Sequence, residues 1–222
     1  KKARCYKQLQ EFRRASNTLE RIEPYRIPDS LELTIARESI LMPYLADEAD
    51  KAHSAYKRAE VRLDSTQVQQ LGHLKVMVLL EKQEWKDAKR ALANYAQYKG
   101  EAINTDSLFQ PVLTGNAFKD KGTAKLLSFI LPGAGQIYAG KFFQGLAGLA
   151  LTSGSAYLGI NRFLHNYYFA TFMSGTGLFF RFYAGGIRHT ADLVQQVNTA
   201  KIEQFKNRVI KLVLELKDAH SD

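Results

Sequence analysis

One stretch of 71 residues, positions 121–191, contains neither Asp nor Glu, although the chain has 22 such residues. It holds 12 of the 15 glycines and two long runs without Lys or Arg, at residues 142–160 and 163–180. A surface in contact with water normally mixes charges of both signs. A segment that excludes acids and keeps its few bases at its margins is typical of a lipid environment. We therefore predict a membrane hairpin at residues 124–190.

The two apolar runs set the dimensions of this hairpin. They contain 19 and 18 residues, close to the roughly 20 that a membrane-spanning helix needs. Asn161 and Arg162 form a short polar break between them, so we expect a tight turn at Asn161, Arg162 and Phe163. Both runs are rich in Gly, Ser and Thr, the small residues that allow helices to approach closely in lipid. The predicted structure is a two-helix transmembrane hairpin.

Charge argues against nucleic acid as a partner. The formal net charge is +9, and a nucleic-acid binder concentrates such charge in a dense basic stripe. Here the bases of the acid-free segment are spread out and flank or interrupt its apolar runs, which suits phospholipid headgroups better. These bases are Lys121, Lys125, Lys141, Arg162, Arg181 and Arg188. We predict membrane lipid as a partner, and no nucleic acid.

One apolar spacing occurs three times within residues 5–99. In each copy an apolar residue is followed by Ala three positions later and by apolar residues at positions seven and ten, so the four share one helix face. The copies are Phe12, Ala15, Leu19, Ile22; Ala49, Ala52, Tyr56, Ala59; and Trp85, Ala88, Leu92, Tyr95. Their alanines lie 37 and 36 residues apart. A period in this range predicts stacked helix pairs.

This spacing resembles the second helix of a tetratricopeptide repeat (TPR), and the best-matching segment is Glu84-Trp85-Lys86-Asp87-Ala88. The resemblance implies a domain of TPR-like helical pairs at residues 1–99, which binds other protein subunits through its surface. An ordinary helical bundle is the alternative. The candidate partner-binding residues are Trp85, Lys86, Lys89 and Arg90. The competing interpretation of every apolar stripe is buried core.

The remaining segments are a linker and a terminal helix. Residues 100–123 lose the helical period and contain Gly100, Pro111 and Gly115, so we expect a loop or short turns. From residue 191 the acids return, and apolar residues recur at intervals of three and four. This pattern predicts a C-terminal amphipathic helix at residues 191–222, which packs on the N-terminal helices, on a partner, or in the membrane interface. The fold class is all-α throughout.

A distinctive motif precedes the first apolar run. It reads Pro132-Gly133-Ala134-Gly135-Gln136-Ile137-Tyr138-Ala139-Gly140-Lys141, and an apolar helix, a basic turn and a second apolar helix follow it. This arrangement resembles the TM-two hairpin domain, whose motif is Pro-Gly-x-Gly-x-x-Tyr-x-Gly-[Lys/Arg]. Some members carry Asp-Arg-Phe in the turn, where this chain has Asn161-Arg162-Phe163. The resemblance implies that the hairpin begins with Pro132, Gly133, Gly135, Tyr138, Gly140 and Lys141.

The same resemblance implies a location. Bacterial envelope proteins combine a secreted helical-repeat region with such a hairpin, so we expect this chain in the cell envelope with its N-terminal domain in the periplasm. The bases flanking the hairpin ends leave the opposite topology open, with both termini in the cytoplasm. The choice depends on whether a signal peptide has been removed.

The residues themselves argue against several kinds of chemistry. The single cysteine, Cys5, excludes an internal disulfide. None of the five histidines lies in a metal-binding spacing. The stretch from Gly135 to Lys141 matches a phosphate-binding loop except at its last position, where Phe142 replaces the Ser or Thr that holds Mg²⁺. We therefore predict no catalytic, cofactor-binding or metal-binding residues, and no small-molecule substrate.

These observations predict a non-enzymatic, membrane-anchored adaptor or scaffold subunit of a cell-envelope protein complex. The alternative is a membrane-embedded enzyme or transporter component that uses Arg162, His165 and Arg181. The lack of acids near these residues argues against a proton relay. A basic protein that binds nucleic acid is a third possibility, and its affinity would fall steeply with salt.

Overall fold

The structure, a computed structural model, describes residues 1–23 and 27–219, and every regular element within these ranges is helical. The chain forms two compact units. Unit 1 comprises residues 1–114 and 205–222, and unit 2 comprises residues 115–204. The predicted all-α class is therefore confirmed, whereas the boundaries of the units differ from the four predicted segments.

Unit 1 is built from three helix pairs. The first pair is α1 (Lys2–Gln8) with α2 (Phe12–Leu19), the second is α3 (Asp29–Leu45) with α4 (Ala49–Arg62), and the third is α6 (Gly72–Glu81) with α7 (Trp85–Tyr98). A short helix, α5 (Ser65–Gln70), connects the second and third pairs and begins with a capping box between Asp64 and Gln67. Each predicted alanine stripe lies on the second helix of a pair, except that Ile22 of the first stripe follows the end of α2.

The repeated alanines lie at the centre of this packing. Ala15, Ala52 and Ala88 are each 0% exposed to solvent. A methyl side chain lets the neighbouring helix approach closely, and the larger Ile40 is buried in the same cluster as Ala52. The predicted helix pairs and their period are therefore present, and most of the stripe residues are core.

The turn inside each pair repeats as well. Gln10, Asp47 and Gln83 adopt left-handed backbone with φ of 58°, 60° and 57°. In each turn the next residue, a glutamate, donates its N–H to a carbonyl five positions earlier, as Glu48 does to Pro43 at 2.9 Å. This is the Schellman geometry that ends a helix and reverses the chain. It recurs at intervals of 37 and 36 residues, which match the alanine period.

An eighth helix occupies part of the predicted linker. Helix α8 (Thr105–Leu113) begins at Asn104, whose side chain accepts the N–H of Ser107 at 3.0 Å. Phe109 is fully buried and Val112 is nearly so. The prediction of a loop or short turns at residues 100–123 did not include this helix, which the cap and two apolar anchors stabilise despite the Pro and Gly signals.

The predicted C-terminal helix is longer than expected. It is the end of a single helix, α13 (Gly177–Asp218), whose last part belongs to unit 1. There Val209 and Val213 are fully buried. The Phe205 ring meets the rings of Trp85 and Phe109 edge-on at 5.7 and 5.1 Å. Of the three placements left open by the sequence, packing on the N-terminal helices is the one observed.

Unit 2 contains α9 (Lys121–Ile130), α10 (Ala134–Tyr138), α11 (Phe142–Leu164), α12 (Tyr168–Ala170), a π-helical stretch at Thr171–Thr176, and the first part of α13. Helix α10 packs against α9 and α11, and the π-helical stretch packs against α11. A helical hairpin is thus present at the predicted place.

The transmembrane character of this hairpin is not supported. Among residues 1–23 and 27–219, no helix combines the length and the apolarity needed to cross a bilayer. Length is not what α11 lacks, since it has 23 residues. Glycines and polar residues such as Gln144 and Ser153 lower its hydropathy, and the second predicted span is divided among α12, the π-helical stretch and α13.

Candidate interaction surfaces

The predicted start of the hairpin is a close contact between backbones. Gly133 has φ of 89°, and a Cβ placed there would lie 2.0 Å from the carbonyl oxygen of Gly145. A Cβ on Gly135 would lie 2.0 Å from the carbonyl oxygen of Ala124. No side chain fits in such gaps, so these two glycines let α10 lie directly against α9 and α11. Gly140, also at φ 89°, ends α10 in another Schellman turn.

Tyr138 and its neighbours hold the preceding segment in place. The Lys119 ammonium lies 4.9 Å from the centre of the Tyr138 ring, a cation–π contact, and also donates to the Tyr138 carbonyl. The Asn198 side chain from α13 forms two 2.9 Å hydrogen bonds with the backbone of Lys119. Asp120 caps α9, and the backbone N–H of Thr123 lowers the pKa of its carboxyl.

Small polar groups occupy much of the interior of unit 2. The hydroxyls of Ser128 and Thr190 hydrogen-bond at 2.9 Å, and both residues are buried. The Thr152 hydroxyl donates to the Gly148 carbonyl at 2.8 Å. Gln136 is also buried, beside a cavity of about 10 Å³, room for about one water molecule. The sequence-based reasoning missed Ser128, Gln136 and Thr190 because each looks like an ordinary polar residue beside an apolar run.

Helix α11 shows this arrangement most clearly. Its buried residues are all small: Gly145, Thr152, Ser155 and Gly159. Their spacing of seven, three and four positions places them on one face. Nearly all of the large apolar residues of the helix are exposed, with Phe143 at 83%, and Leu149 is half-buried. The helix thus buries its small and weakly polar face and exposes its apolar one.

The exposed apolar residues are concentrated in one part of the chain. Of the 29 exposed large hydrophobic side chains among the described residues, 21 lie within positions 126–180. We call these 21 side chains the apolar surface. Its most exposed members include Phe143, Phe169, Ile130 and Leu164. Soluble monomers rarely expose large apolar patches, and a concentration of exposed apolar side chains is typical of a surface that contacts a membrane or another protein.

The predicted turn residues lie one helical turn earlier than the reversal itself. Asn161, Arg162 and Phe163 belong to the last turn of α11, and the chain reverses at residues 165–167, where Asn166 has φ of 62°. His165 hydrogen-bonds the Asn161 carbonyl at 2.8 Å through Nδ1. Within the described ranges, no hydrogen bond or ion pair joins Arg162, His165 and Arg181 to one another.

The predicted partner-binding residues of unit 1 are mostly engaged within the unit. Trp85 packs on Phe205, Lys89 forms an ion pair with Asp106, and Arg90 lies 3.6 Å from Asp87. Lys86 is exposed. Trp85 and Lys89 therefore contribute to contacts within the unit, whereas Lys86 and Arg90 stay exposed on its surface.

Comparison with protein-family models, with curated proteins and with solved structures finds no match to this chain. The resemblances to TPR repeats and to the TM-two hairpin domain therefore stay predictions.

Proposed function

We propose that this protein is a non-enzymatic scaffold subunit that attaches to a membrane through the apolar surface of unit 2 and binds protein partners through unit 1. One observation carries the proposal: α11 buries Gly145, Thr152, Ser155 and Gly159 while it exposes phenylalanines and leucines. Water favours the reverse arrangement. In hydrocarbon, close packing of small residues holds helices together and apolar side chains face the solvent.

The charges around the apolar surface support a membrane rather than an apolar protein as its neighbour. The segment carries six bases and no acid. Bases next to an apolar surface are attracted to anionic headgroups, each contributing about 1 kcal/mol near the bilayer surface. Because no described helix suits a full crossing, we propose that the hairpin inserts into the membrane without spanning it.

Unit 1 supplies the protein-binding half of the proposal. Helices α2, α3 and α4 enclose a groove of about 870 Å³, and Ile35 and Ala36 are among its apolar lining residues. Acids such as Glu20 and bases such as Arg58 line the same groove. Stacked helix pairs commonly use such a groove to hold a peptide. The proposed partner is a subunit of the same membrane complex.

Vesicle flotation tests the anchoring. Full-length protein exchanged out of detergent is mixed with vesicles containing an anionic phospholipid, and we expect it to float with them even at high salt. Replacing two exposed rings, Phe143→Asn with Phe169→Asn, should lower partitioning by at least about tenfold, because each buried ring contributes about 1.5–3 kcal/mol. The control is Val61→Asn, since Val61 is 87% exposed but lies in unit 1. A chain that stays monomeric and unbound without detergent contradicts the proposal.

The side of the membrane on which unit 1 lies can be tested by labelling the single cysteine, Cys5. Cys5 is exposed in unit 1, so a maleimide that cannot cross membranes labels it only from the side on which unit 1 lies. We propose a bacterial envelope with unit 1 in the periplasm, as the resemblance to envelope proteins implies. Labelling in intact spheroplasts is then expected, and labelling only after lysis would place unit 1 in the cytoplasm.

A further inference from the structure

A small cavity in unit 1 is bordered by an unusual set of side chains. It measures about 170 Å³ and lies among α3, the α5–α6 junction, the end of α7 and the end of α13. Its polar lining consists of Arg37, Gln70, His73, Tyr95, Tyr98, Lys99 and Lys217. Leu33 and Leu71 supply an apolar wall. Helix α3, the end of α7 and the end of α13 therefore each contribute one positively charged side chain to the cavity lining.

Two of these cations are not explained by internal ion pairs. Within residues 1–23 and 27–219, no side-chain hydrogen bond or ion pair involves Arg37 or Lys99. Lys217 takes part in another interaction, so it is not counted with these two. The negative charge of Asp218 acts on Tyr95 and contributes to raising its pKa. Like charges held close together destabilise a protein unless an opposite charge joins them.

The other polar groups of the cavity are neutral near pH 7. His73 donates its Nδ1–H to the Gln70 carbonyl at 2.9 Å. Burial, followed by the charges of Lys217, Arg37 and Lys99, lowers the pKa of His73 to about 4. Burial raises the pKa of Tyr95, so its hydroxyl stays protonated. The cavity thus combines cations with neutral ring groups.

We propose that this cavity binds a compact oxyanion, a carboxylate or phosphate group on a short apolar stem, with Arg37 and Lys99 as its charged donors. The volume limits the ligand, because cavities that enclose drug-sized molecules measure about 300–1,000 Å³. A nucleotide is therefore too large, whereas a single oxyanion group fits. Leu33, Leu71 and the tyrosine rings contact the stem. This site goes beyond the scaffold function and does not depend on it.

Calorimetry on the full-length protein in mild detergent tests the site, with phenyl phosphate, benzoate and inorganic phosphate as probes. At least one of the two ring-bearing probes is expected to bind saturably and more tightly than inorganic phosphate. Preference for phenyl phosphate assigns the group as a phosphate, and preference for benzoate assigns it as a carboxylate. Absence of saturable binding by both overturns the proposal, as does binding of inorganic phosphate alone.

Paired variants place the binding in the cavity. Arg37→Gln with Lys99→Gln should weaken binding by about tenfold or more, because charge-assisted hydrogen bonds are lost. Lys57→Gln with Lys86→Gln removes the same charge from exposed positions on other parts of unit 1 and should change affinity by less than about twofold. An equal loss in both pairs indicates diffuse attraction and overturns the proposal.

A measurement on the unaltered protein keeps the test independent of how the variants fold. A bound anion next to His73 offsets the positive field of its neighbours, so the ligand should raise the pKa of His73 in an NMR titration. His53, whose pKa is lowered by burial and which does not line this cavity, serves as the internal control. If saturating ligand leaves the pKa of His73 unchanged, the ligand binds elsewhere and the assignment fails.

Discussion

The Nζ of Lys206 lies 2.7 Å from Oε2 of Glu81, a carboxylate 125 residues earlier in the chain. The Lys206 side chain is only 8% exposed, and that of Glu81 is 27% exposed. The pair lies in unit 1, where it joins the end of α6 to α13 beside the packed rings of Phe205 and Trp85. A charge buried this deeply is stable only while its partner remains.

Removing one partner of this pair should destabilise unit 1. We expect Glu81→Gln to lower the free energy of unfolding by about 1–3 kcal/mol, less than the 3–5 kcal/mol of a fully buried pair because Glu81 retains contact with water. The fluorescence of Trp85, the only tryptophan, reports the unfolding of this unit in urea. The double variant Glu81→Leu with Lys206→Met should lose less stability than the sum of the losses in the single variants Glu81→Leu and Lys206→Met. Additive losses would show that the two charges are not coupled.

The left-handed residues in the turns predict a stabilising change. Asp47 and Gln83 hold φ near +60°, a conformation that costs a residue with a Cβ about 1–2 kcal/mol. Glycine avoids this cost but loses some unfolded-state entropy. We therefore expect Gln83→Gly to stabilise unit 1 by about 0.5–1 kcal/mol, measured through Trp85 fluorescence in urea.

A glycine that already occupies the same kind of turn serves as the reverse control. Gly100 has φ of 73° at the end of α7, and nothing lies within 4 Å of the position its Cβ would take. Gly100→Ala should destabilise by about 1 kcal/mol through backbone strain alone. If Gln83→Gly and Gly100→Ala both destabilise the unit, left-handed strain is not what limits these turns.

The alanine period could be read from the sequence because it reflects a local requirement. Each stripe needs only its own helix and one close neighbour, so Ala15, Ala52 and Ala88 showed their role through spacing alone. The turns that carry the same period were missed, because Gln10, Asp47 and Gln83 share no residue type that signals left-handed backbone. A glutamate follows each of these three residues, and this repeated glutamate is the sequence feature that could have indicated the turns.

Contacts between segments that are distant in the sequence could not be predicted from spacing. Phe205 and Val209 fit equally well on the N-terminal helices, on a partner or on a membrane, and only the observed contacts with Trp85 and Phe109 decide among these. The cations around His73 come from α3, α7 and α13, so no local pattern brings them together. In unit 2 the hairpin was predictable, but its buried polar contacts such as Ser128 with Thr190 were not.

The buried histidine predicts how stability depends on pH. The pKa of His73 is about 4 in the folded protein, against 6.5 for an ordinary histidine. The unfolded chain therefore binds a proton more readily, so the contribution of His73 to stability is complete above pH 6.5 and is lost as the pH falls toward 4. Between pH 7 and pH 5 this loss should be about 2 kcal/mol.

The matched variant for this prediction is His73→Gln, whose amide can still donate to the Gln70 carbonyl. Carboxylates titrate in both proteins, so the relevant quantity is the difference between their stabilities at the two pH values. We expect the variant to lose about 2 kcal/mol less than the wild type when urea unfolding is followed by Trp85 fluorescence. Parallel pH profiles would mean that the His73 ring is accessible to protons in the folded state.

The contact between α9 and α10 yields the last prediction. A Cβ at Gly135 would lie 2.0 Å from the Ala124 carbonyl oxygen, 2.3 Å from Ser128 Oγ and 2.7 Å from Thr190 Cγ2. One of these neighbours is backbone and cannot rotate away, so Gly135→Ala should destabilise unit 2 by about 1–3 kcal/mol or more. Gly154→Ala in α11 provides the control, because nothing lies within 4 Å of that Cβ and alanine favours a helix by up to about 1 kcal/mol. Hydrogen exchange of the α9–α11 amides in detergent micelles should therefore become faster in the first variant and no faster in the second. Equal exchange in both variants would show that α10 has room to move away from α9, and the small-residue packing on which the membrane proposal depends would lose its support.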